Sequence, residues 1–170
     1  ALEEDNSFTI SNPNTPKNIA RNSNKDLRNE MRDRNNYFQE IESTARKILK
    51  SVGYPGSGPV SERILMDVCE YFGFSVKRAE NIPHSTRSIT DQREKIIYIP
   101  QRNDLTTRAS RSVVLQTLGH YALSHEVADD IGKYLRQRVE SNYFAAAILA
   151  PEKPAVKFLK QAYKYIFKLI

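Results

Sequence analysis

The sequence predicts an α+β fold that is mainly helical and contains a small three-stranded antiparallel sheet. Apolar residues recur at helical spacing in several segments, which indicates amphipathic helices. A short central region alternates apolar and polar residues, as half-buried strands do. The helical and strand-like segments lie in separate parts of the chain. Such segregation is typical of α+β proteins rather than of alternating α/β folds.

Two helices are predicted before the sheet. The first begins near Tyr37, and its apolar face consists of Phe38, Ile41, Ala45, Ile48, Leu49 and Val52. Gly53 ends this helix, and a loop rich in proline and glycine follows. Ser61 is the predicted N-cap of the second helix, which Gly73 ends.

The three strands are predicted over residues 74–77, 86–89 and 95–99. A turn over residues 91–94 joins the last two strands, and Pro100 closes the third. Three helices are expected after the sheet. Two of them cover residues 104–124 and 129–149, and a basic amphipathic helix follows Pro151 and Pro154 to the end of the sequence.

The chain of 170 residues is predicted to contain one folded domain, over residues 37–170, preceded by a polar flexible arm over residues 1–36. A helix within the arm is predicted to begin near Lys25. The apolar run 163–170 is unusual for a free end, and it indicates either a truncated last helix or a surface that a partner covers.

Charge and cysteine content limit the function classes. The net charge of +6 and the pI of about 9.4 suit an anionic partner, although basic residues that only solvate helix faces are the favoured explanation. Cys69 is the only cysteine, which excludes an internal disulfide framework and a multi-cysteine zinc site. A reducing cytoplasm is therefore expected. No apolar run reaches the ~20 residues that a membrane helix needs, so no membrane partner is expected.

The most informative motif is Gln116-Thr117-Leu118-Gly119-His120. In a zinc peptidase the corresponding positions read His-Glu-x-x-His, because two histidines one turn apart reach one metal ion and the glutamate activates the bound water. Here an amide replaces the first ligand and a hydroxyl replaces the general base. His120 and Glu140 remain as the second and third ligand positions, and two ligands of three predict a lost catalytic function.

The chain resembles the ImmA/IrrE family of metallopeptidase-like domains. More closely it resembles the branch found in actinobacterial regulators of acetate and propionate metabolism, the RamB/PrpR-like proteins. The resemblance rests on residues 118–121, His125 and the run 135–152, which contains Glu-x-x-x-Phe-Ala-Ala followed by a proline. It implies a sensory pseudo-metallopeptidase that binds a short-chain acyl-CoA and acts on DNA through a helix-turn-helix unit not recognisable in this sequence.

The expected ligand pocket surrounds the degenerate motif. We expect its residues to be Gln116, His120, Tyr121, Glu140, Tyr143 and Phe144. Candidate phosphate partners are Arg108, Arg111, Arg136 and Arg138, because a guanidinium matches phosphate oxygens. The alternatives to a ligand-binding role are purely structural: His120 would be a core histidine, and Glu140 would be a surface carboxylate paired with Arg136. No cofactor is predicted with certainty, and zinc at His120 and Glu140 is the less favoured alternative.

Three functions of different classes remain open at this point. The first is a ligand-sensing regulatory domain of a transcriptional regulator. The second is a residual metallopeptidase that would use His120, Glu140 and His125, with Glu126 as the general base. The third is a protein-interaction module that presents the basic final helix to a partner, and a homo-oligomer belongs to the partners considered.

Overall fold

The computed structural model of the chain describes residues 16–101 and 108–167. Within these residues it contains six helices and three strands, so the predicted α+β class is confirmed. The helices are α1 (Pro16–Asp33), α2 (Gln39–Ser51), α3 (Glu62–Tyr71), α4 (Arg108–Ala122), α5 (Ile131–Leu149) and α6 (Glu152–Phe167). The strands are β1 (Ser75–Ala79), β2 (Ile89–Asp91) and β3 (Ile96–Pro100).

The chain divides into two compact units. The first comprises residues 1–37 together with 127–136, and the second comprises residues 38–126 together with 137–170. This division falls close to the predicted boundary at residue 36, but the sequence did not assign residues 127–136 to the first unit. The domain assignment as such stays a prediction.

The first unit contains α1 and the first residues of α5. The sequence predicted a flexible arm with a helix from near Lys25, whereas the helix observed here already begins at Pro16. Residues 1–15 of the predicted arm lie outside the described residues. Arg136 on α5 donates through both terminal nitrogens to the carboxylate of Glu30 on α1. A bidentate pair of this kind orders a polar helix that has little apolar surface to bury.

The core of the second unit is built from α2, α3, α4, the second part of α5 and β3. Its fully buried side chains include Ile41, Leu65, Val68, Ile97, Leu115, Leu118, Phe144 and Ile148. The predicted apolar face of the first helix of this unit is confirmed for Phe38, Ile41, Ala45, Ile48 and Leu49, which are buried, whereas Val52 is half-buried. The predicted N-cap is also confirmed, because Ser61 Oγ accepts a hydrogen bond from the backbone N–H of Ile64.

The sheet is mixed, so the prediction of an antiparallel sheet was wrong. The strand order is β1-β3-β2, with β1 parallel to β3 and β2 antiparallel to β3. A tight turn joins β2 to β3, whereas nine residues connect β1 to β2, so that β3 can lie between them and pair in parallel with β1. Alternation of apolar and polar residues predicts a strand and carries no information about which strands are neighbours.

Strand and helix ends differ from the predictions by small shifts. The second strand lies at Ile89–Asp91 rather than at 86–89, and α5 begins at Ile131 rather than at residue 129. The helix that corresponds to α4 was predicted to begin at residue 104, which lies outside the described residues. Asp91 Oδ1 accepts hydrogen bonds from the backbone N–H groups of Arg93 and Glu94, which fixes the predicted turn. Side-chain bonds of this type stabilise tight turns.

The last described helix, α6, leaves several large apolar side chains in solvent. Phe158, Leu159 and Tyr163 each expose about two thirds of their surface, at 70%, 64% and 65%. Residues 168–170 of the predicted apolar run lie outside the described residues. Among the described helices, none combines the length and the apolar character needed to cross a lipid bilayer.

Candidate functional site

The candidate site forms where α4 and α5 pack closely within the second unit. Gly119 permits this approach, because a Cβ atom at this position would lie 3.1 Å from Ser141 Cα and 3.2 Å from Phe144 Cδ1. Small residues let two helices approach each other in this way. The contact brings the degenerate motif on α4 beside Glu140 on α5.

The end of α4 turns the chain back so that two histidines meet. Ser124 has a φ of 53°, in the left-handed region, and its N–H donates to the carbonyl of Tyr121. The N–H of His125 donates to the carbonyl of His120 at 2.9 Å. These two bonds are the Schellman pattern of a helix C-terminus. The pattern places the imidazole of His125 beside that of His120.

His120, His125 and Glu140 form a continuous polar chain. The Nδ1 atoms of His120 and His125 lie 2.9 Å apart, and His125 Nε2 lies 2.9 Å from Glu140 Oε2. His125 is buried, with 8% of its side chain exposed, and Glu140 is partly buried. A neutral imidazole carries one donor and one acceptor nitrogen, so it bridges two polar groups. His125 thus occupies the space between the two predicted ligand residues.

The pKa of His120 lies below its ordinary value. Desolvation of the ring is the larger cause, and repulsion from His125 adds to it. Both effects disfavour the charged imidazolium. His120 therefore stays neutral near neutral pH, although it is an exposed residue.

The two replaced motif positions make local hydrogen bonds within α4. Gln116 Nε2 donates to Ser112 Oγ at 3.0 Å, and Thr117 Oγ1 donates to the carbonyl of Val113 at 3.2 Å. No group of three histidine, cysteine, aspartate or glutamate side chains among the described residues is arranged to hold a metal ion. The donor set at 116, 120 and 140 does not fit a zinc site, because His120 and Glu140 both bond to His125.

Tyr121 belongs to an aromatic and cationic cluster next to the motif. Its ring lies 4.8 Å from that of Phe74, and the Lys95 ammonium group lies 4.8 Å from both ring centroids. A cation over aromatic faces is a favourable electrostatic contact. Lys95 is a site residue that the sequence analysis missed, since it lies in the turn before β3 and no local pattern links it to α4.

The other two predicted wall residues lie on α5. Tyr143 packs edge-to-face on Phe38, with 5.0 Å between centroids, and its hydroxyl donates to Glu42 Oε1 at 3.1 Å. Phe144 is completely buried in the core. The structure therefore joins Tyr143 to α2 and uses Phe144 for packing against Gly119, and whether either residue contacts a ligand stays a prediction.

The four predicted phosphate partners are dispersed. Arg111 Nη1 donates to the carbonyl of Val60 at 3.1 Å, and Arg136 pairs with Glu30 in the first unit. Arg138 is exposed on α5. The side chain of Arg108 lies outside the described residues. The alternative prediction was a pair between Arg136 and Glu140, whereas Arg136 pairs with Glu30 and Glu140 pairs with His125.

Comparison with known proteins supports the fold. The search of family models found no match, and the search of curated proteins also found none. The chain is similar in structure to a Mycobacterium tuberculosis transcriptional regulator, with a TM-score of 0.64 and 18% sequence identity. The similarity covers 80% of this chain and 44% of that chain, so this chain spans less than half of the regulator's length.

His125 is the residue whose importance the sequence analysis underrated. From the sequence it belonged to the family resemblance and to the metallopeptidase alternative, but no bridge to His120 was predicted, because a spacing of five residues does not correspond to one face of a regular helix. The left-handed turn at Ser124 brings the two rings together. A serine gives no strong sequence indication of such a turn, whereas a glycine or an asparagine would have done so.

Proposed function

We propose that the chain is the ligand-sensing regulatory domain of a transcriptional regulator, built on a catalytically degenerate zinc-peptidase scaffold of the ImmA/IrrE type. The observation that carries the proposal is His125, which bridges the two surviving ligand positions, His120 and Glu140. Gln116 and Thr117 stand where the first ligand and the general base would be. Chemistry that needs a metal-bound water would lack its usual general base at the motif position, Thr117.

The fold similarity to a transcriptional regulator supports the regulatory part of this proposal. The ligand class, a short-chain acyl-CoA, follows from the family resemblance in the sequence. A cytoplasmic location and a DNA-binding unit in the same regulator belong to the same proposal. The cluster of Phe74, Lys95 and Tyr121 suits an acyl-CoA. Its ammonium group can pair with a phosphate, and its rings can pack against an acyl chain.

The proposal is tested by the melting temperature of the chain with a panel of short acyl-CoAs, with free CoA as the control. A ligand present at one hundred times its Kd stabilises the native state by about 2.7 kcal/mol. For a chain of this size that corresponds to a rise of roughly 5–10 °C. A rise with one or two acyl chains and none with free CoA supports the proposal.

The site is tested by Gln116→Ala, with Gln92→Ala in the exposed turn as the matched control. The first variant should weaken the acyl-CoA response and the second should leave it unchanged. If no acyl-CoA shifts the melting temperature, the acyl-CoA part of the proposal is refuted. A metallopeptidase would instead be indicated by zinc that raises the melting temperature in the native chain and fails to do so after His120→Ala.

A second candidate function, a protein-interaction module, is favoured by α6. Phe158, Leu159 and Tyr163 are mostly exposed on this helix, and exposed apolar patches mark interaction surfaces. A homo-oligomer, one of the partners considered from the sequence, is the first form to test. Sedimentation equilibrium should give a mass above that of the monomer, and Leu159→Glu should return it to the monomer while Arg63→Glu on α3 does not. A monomer in all three proteins excludes self-association through α6.

A further inference from the structure

A cleft with a volume of about 240 Å³ lies between α2, the loop after it and the beginning of α6. Its floor is apolar and rigid, because Leu49 and Ala147 belong to the buried core. Pro55, Pro151 and Pro154 form part of the walls. These residues do not include His120, His125 or Glu140, so the cleft is separate from the degenerate motif.

Three cations border this apolar space. They are Arg46 and Lys50 on α2 and Lys153 on α6. None of the three forms an ion pair with another residue in the described part of the chain. The two acidic lining residues, Glu42 and Glu152, leave an excess of one positive charge. Glu42 already accepts a hydrogen bond from Tyr143.

The beginning of α6 adds to this positive potential. The helix has 16 residues and starts at Glu152, so its first turn faces the cleft. The first N–H groups of a helix lack partners within it and carry partial positive charge. Pro151 and Pro154 have no N–H, so the backbone donors at this end of α6 are those of Glu152 and Lys153. A negative group of the ligand near Lys153 would therefore meet both the ammonium group and this end of the helix.

Tyr54 supplies a flat neutral wall. Its hydroxyl donates to the carbonyl of Gly58 at 2.5 Å, which fixes the ring at the mouth of the loop. Burial raises the pKa of this hydroxyl, so the ring remains uncharged. An aromatic ring and proline rings present flat apolar faces on which another ring can stack.

We propose that this cleft binds a small monoanion with a flat apolar body, of the aromatic carboxylate class. The volume is below the ~300 Å³ at which pockets for drug-sized ligands begin, so a single ring with one carboxylate suits it. The excess of one positive charge matches one carboxylate, and the floor and walls match a ring. This proposal does not depend on the proposed sensing of acyl-CoA at the degenerate motif.

The test is a titration of the ¹⁵N-labelled chain with benzoate, followed by the chemical shifts of the backbone amides. Benzamide has the same shape without the charge, and acetate has the charge without the ring. Benzoate should produce saturable shifts at Leu49, Ala147 and Glu152. Benzamide and acetate should each bind at least fivefold more weakly.

Lys50→Ala and Lys47→Ala are matched variants, because both lysines are exposed on α2 and only Lys50 lines the cleft. Lys50→Ala should weaken benzoate binding about fivefold, which corresponds to the upper range for an exposed ion pair. Lys47→Ala should change it by less than twofold. Neither substitution touches the core, so both proteins should fold.

Three results would overturn the proposal. They are equal binding of benzamide and benzoate, an equal loss in Lys47→Ala and Lys50→Ala, and linear shifts spread over the surface without saturation. The same sample can be titrated with acyl-CoAs, whose shifts would centre on the residues around Tyr121. Failure of one ligand class therefore leaves the result for the other class readable.

Discussion

Gly119→Ala tests whether close packing of α4 on α5 holds the candidate site together. The added methyl group would lie 3.1 Å from Ser141 Cα and 3.3 Å from Ser141 Cβ. Ser141 is buried within a helix, so its backbone cannot move alone. The third neighbour, Phe144 Cδ1 at 3.2 Å, belongs to a ring with no exposed surface. The methyl group would therefore be in close contact with both residues, and Ser141 could not move away without a shift of α5.

Two opposing terms set the magnitude. Forcing a methyl group into a packed core costs about 1–3 kcal/mol. Replacing glycine by alanine inside a helix gains about 1 kcal/mol. Two of the three contacts are with Ser141 Cα and Cβ, whose positions are fixed by the backbone of α5, so we expect the cost of overpacking to exceed the gain in helix propensity. The net loss in the free energy of unfolding should be about 1 kcal/mol, which lowers the melting temperature by roughly 2–4 °C.

The free energy of unfolding should be measured by urea titration followed by circular dichroism. Ala146→Gly is the control, because Ala146 is exposed in the interior of α5 and reports the propensity term alone. It should cost about 1 kcal/mol. If Gly119→Ala is as stable as the parent or more so, α4 and α5 are not held at this distance, and the argument from helix packing is refuted.

Three further predictions concern single side chains. His125→Ala removes both bonds of the polar chain and should lower the free energy of unfolding by about 1–3 kcal/mol in urea titrations at pH 8; no loss would mean that the bridge is not structural. Because the pKa of His120 is lowered in the folded state, the unfolded state binds more protons as pH falls below about 6.5. The free energy of unfolding should therefore decline from pH 7 to pH 5, and it should decline less in His120→Gln. Equal declines in the two proteins would contradict a lowered pKa of His120 in the folded state. Burial raises the pKa of Cys69 to about 12, so this thiol should resist a thiol reagent at pH 8 until urea unfolds the chain; rapid labelling of the native chain would show that α3 opens.

Most of the secondary structure could be predicted because the apolar periodicity is local. The apolar face of α2 and the N-cap at Ser61 each depend on residues that are close together in the sequence, and both are observed. The parallel pairing of β1 with β3 could not be predicted, because the strand order depends on the path of the nine residues after Ala79 rather than on the strand itself. The extent of α1 was missed because polar residues give no apolar periodicity to read.

The site was predictable only in part. The motif at residues 116–120 predicted that the site includes α4, and Glu140 lies beside this motif on α5 as expected. The left-handed turn at Ser124 brings His125 to the site, and the turn between β2 and β3 brings Lys95 there. Residue spacing along the sequence predicts neither placement. The dispersal of Arg111, Arg136 and Arg138 follows from tertiary contacts that a sequence pattern does not contain.

The strand order has a consequence for the time course of folding. Within residues 16–101 and 108–167, β3 is the last strand along the chain, yet it lies in the centre of the sheet and pairs with both β1 and β2. During synthesis β1 must therefore wait, with its pairing groups in water, until the ribosome has released residue 100. The short hairpin of β2 and β3 closes a small loop and can form within microseconds, whereas β1 must close a longer loop afterwards. Docking of β1 is thus the slow step in building this sheet, and the interval before it is when this strand is most open to pairing with another chain.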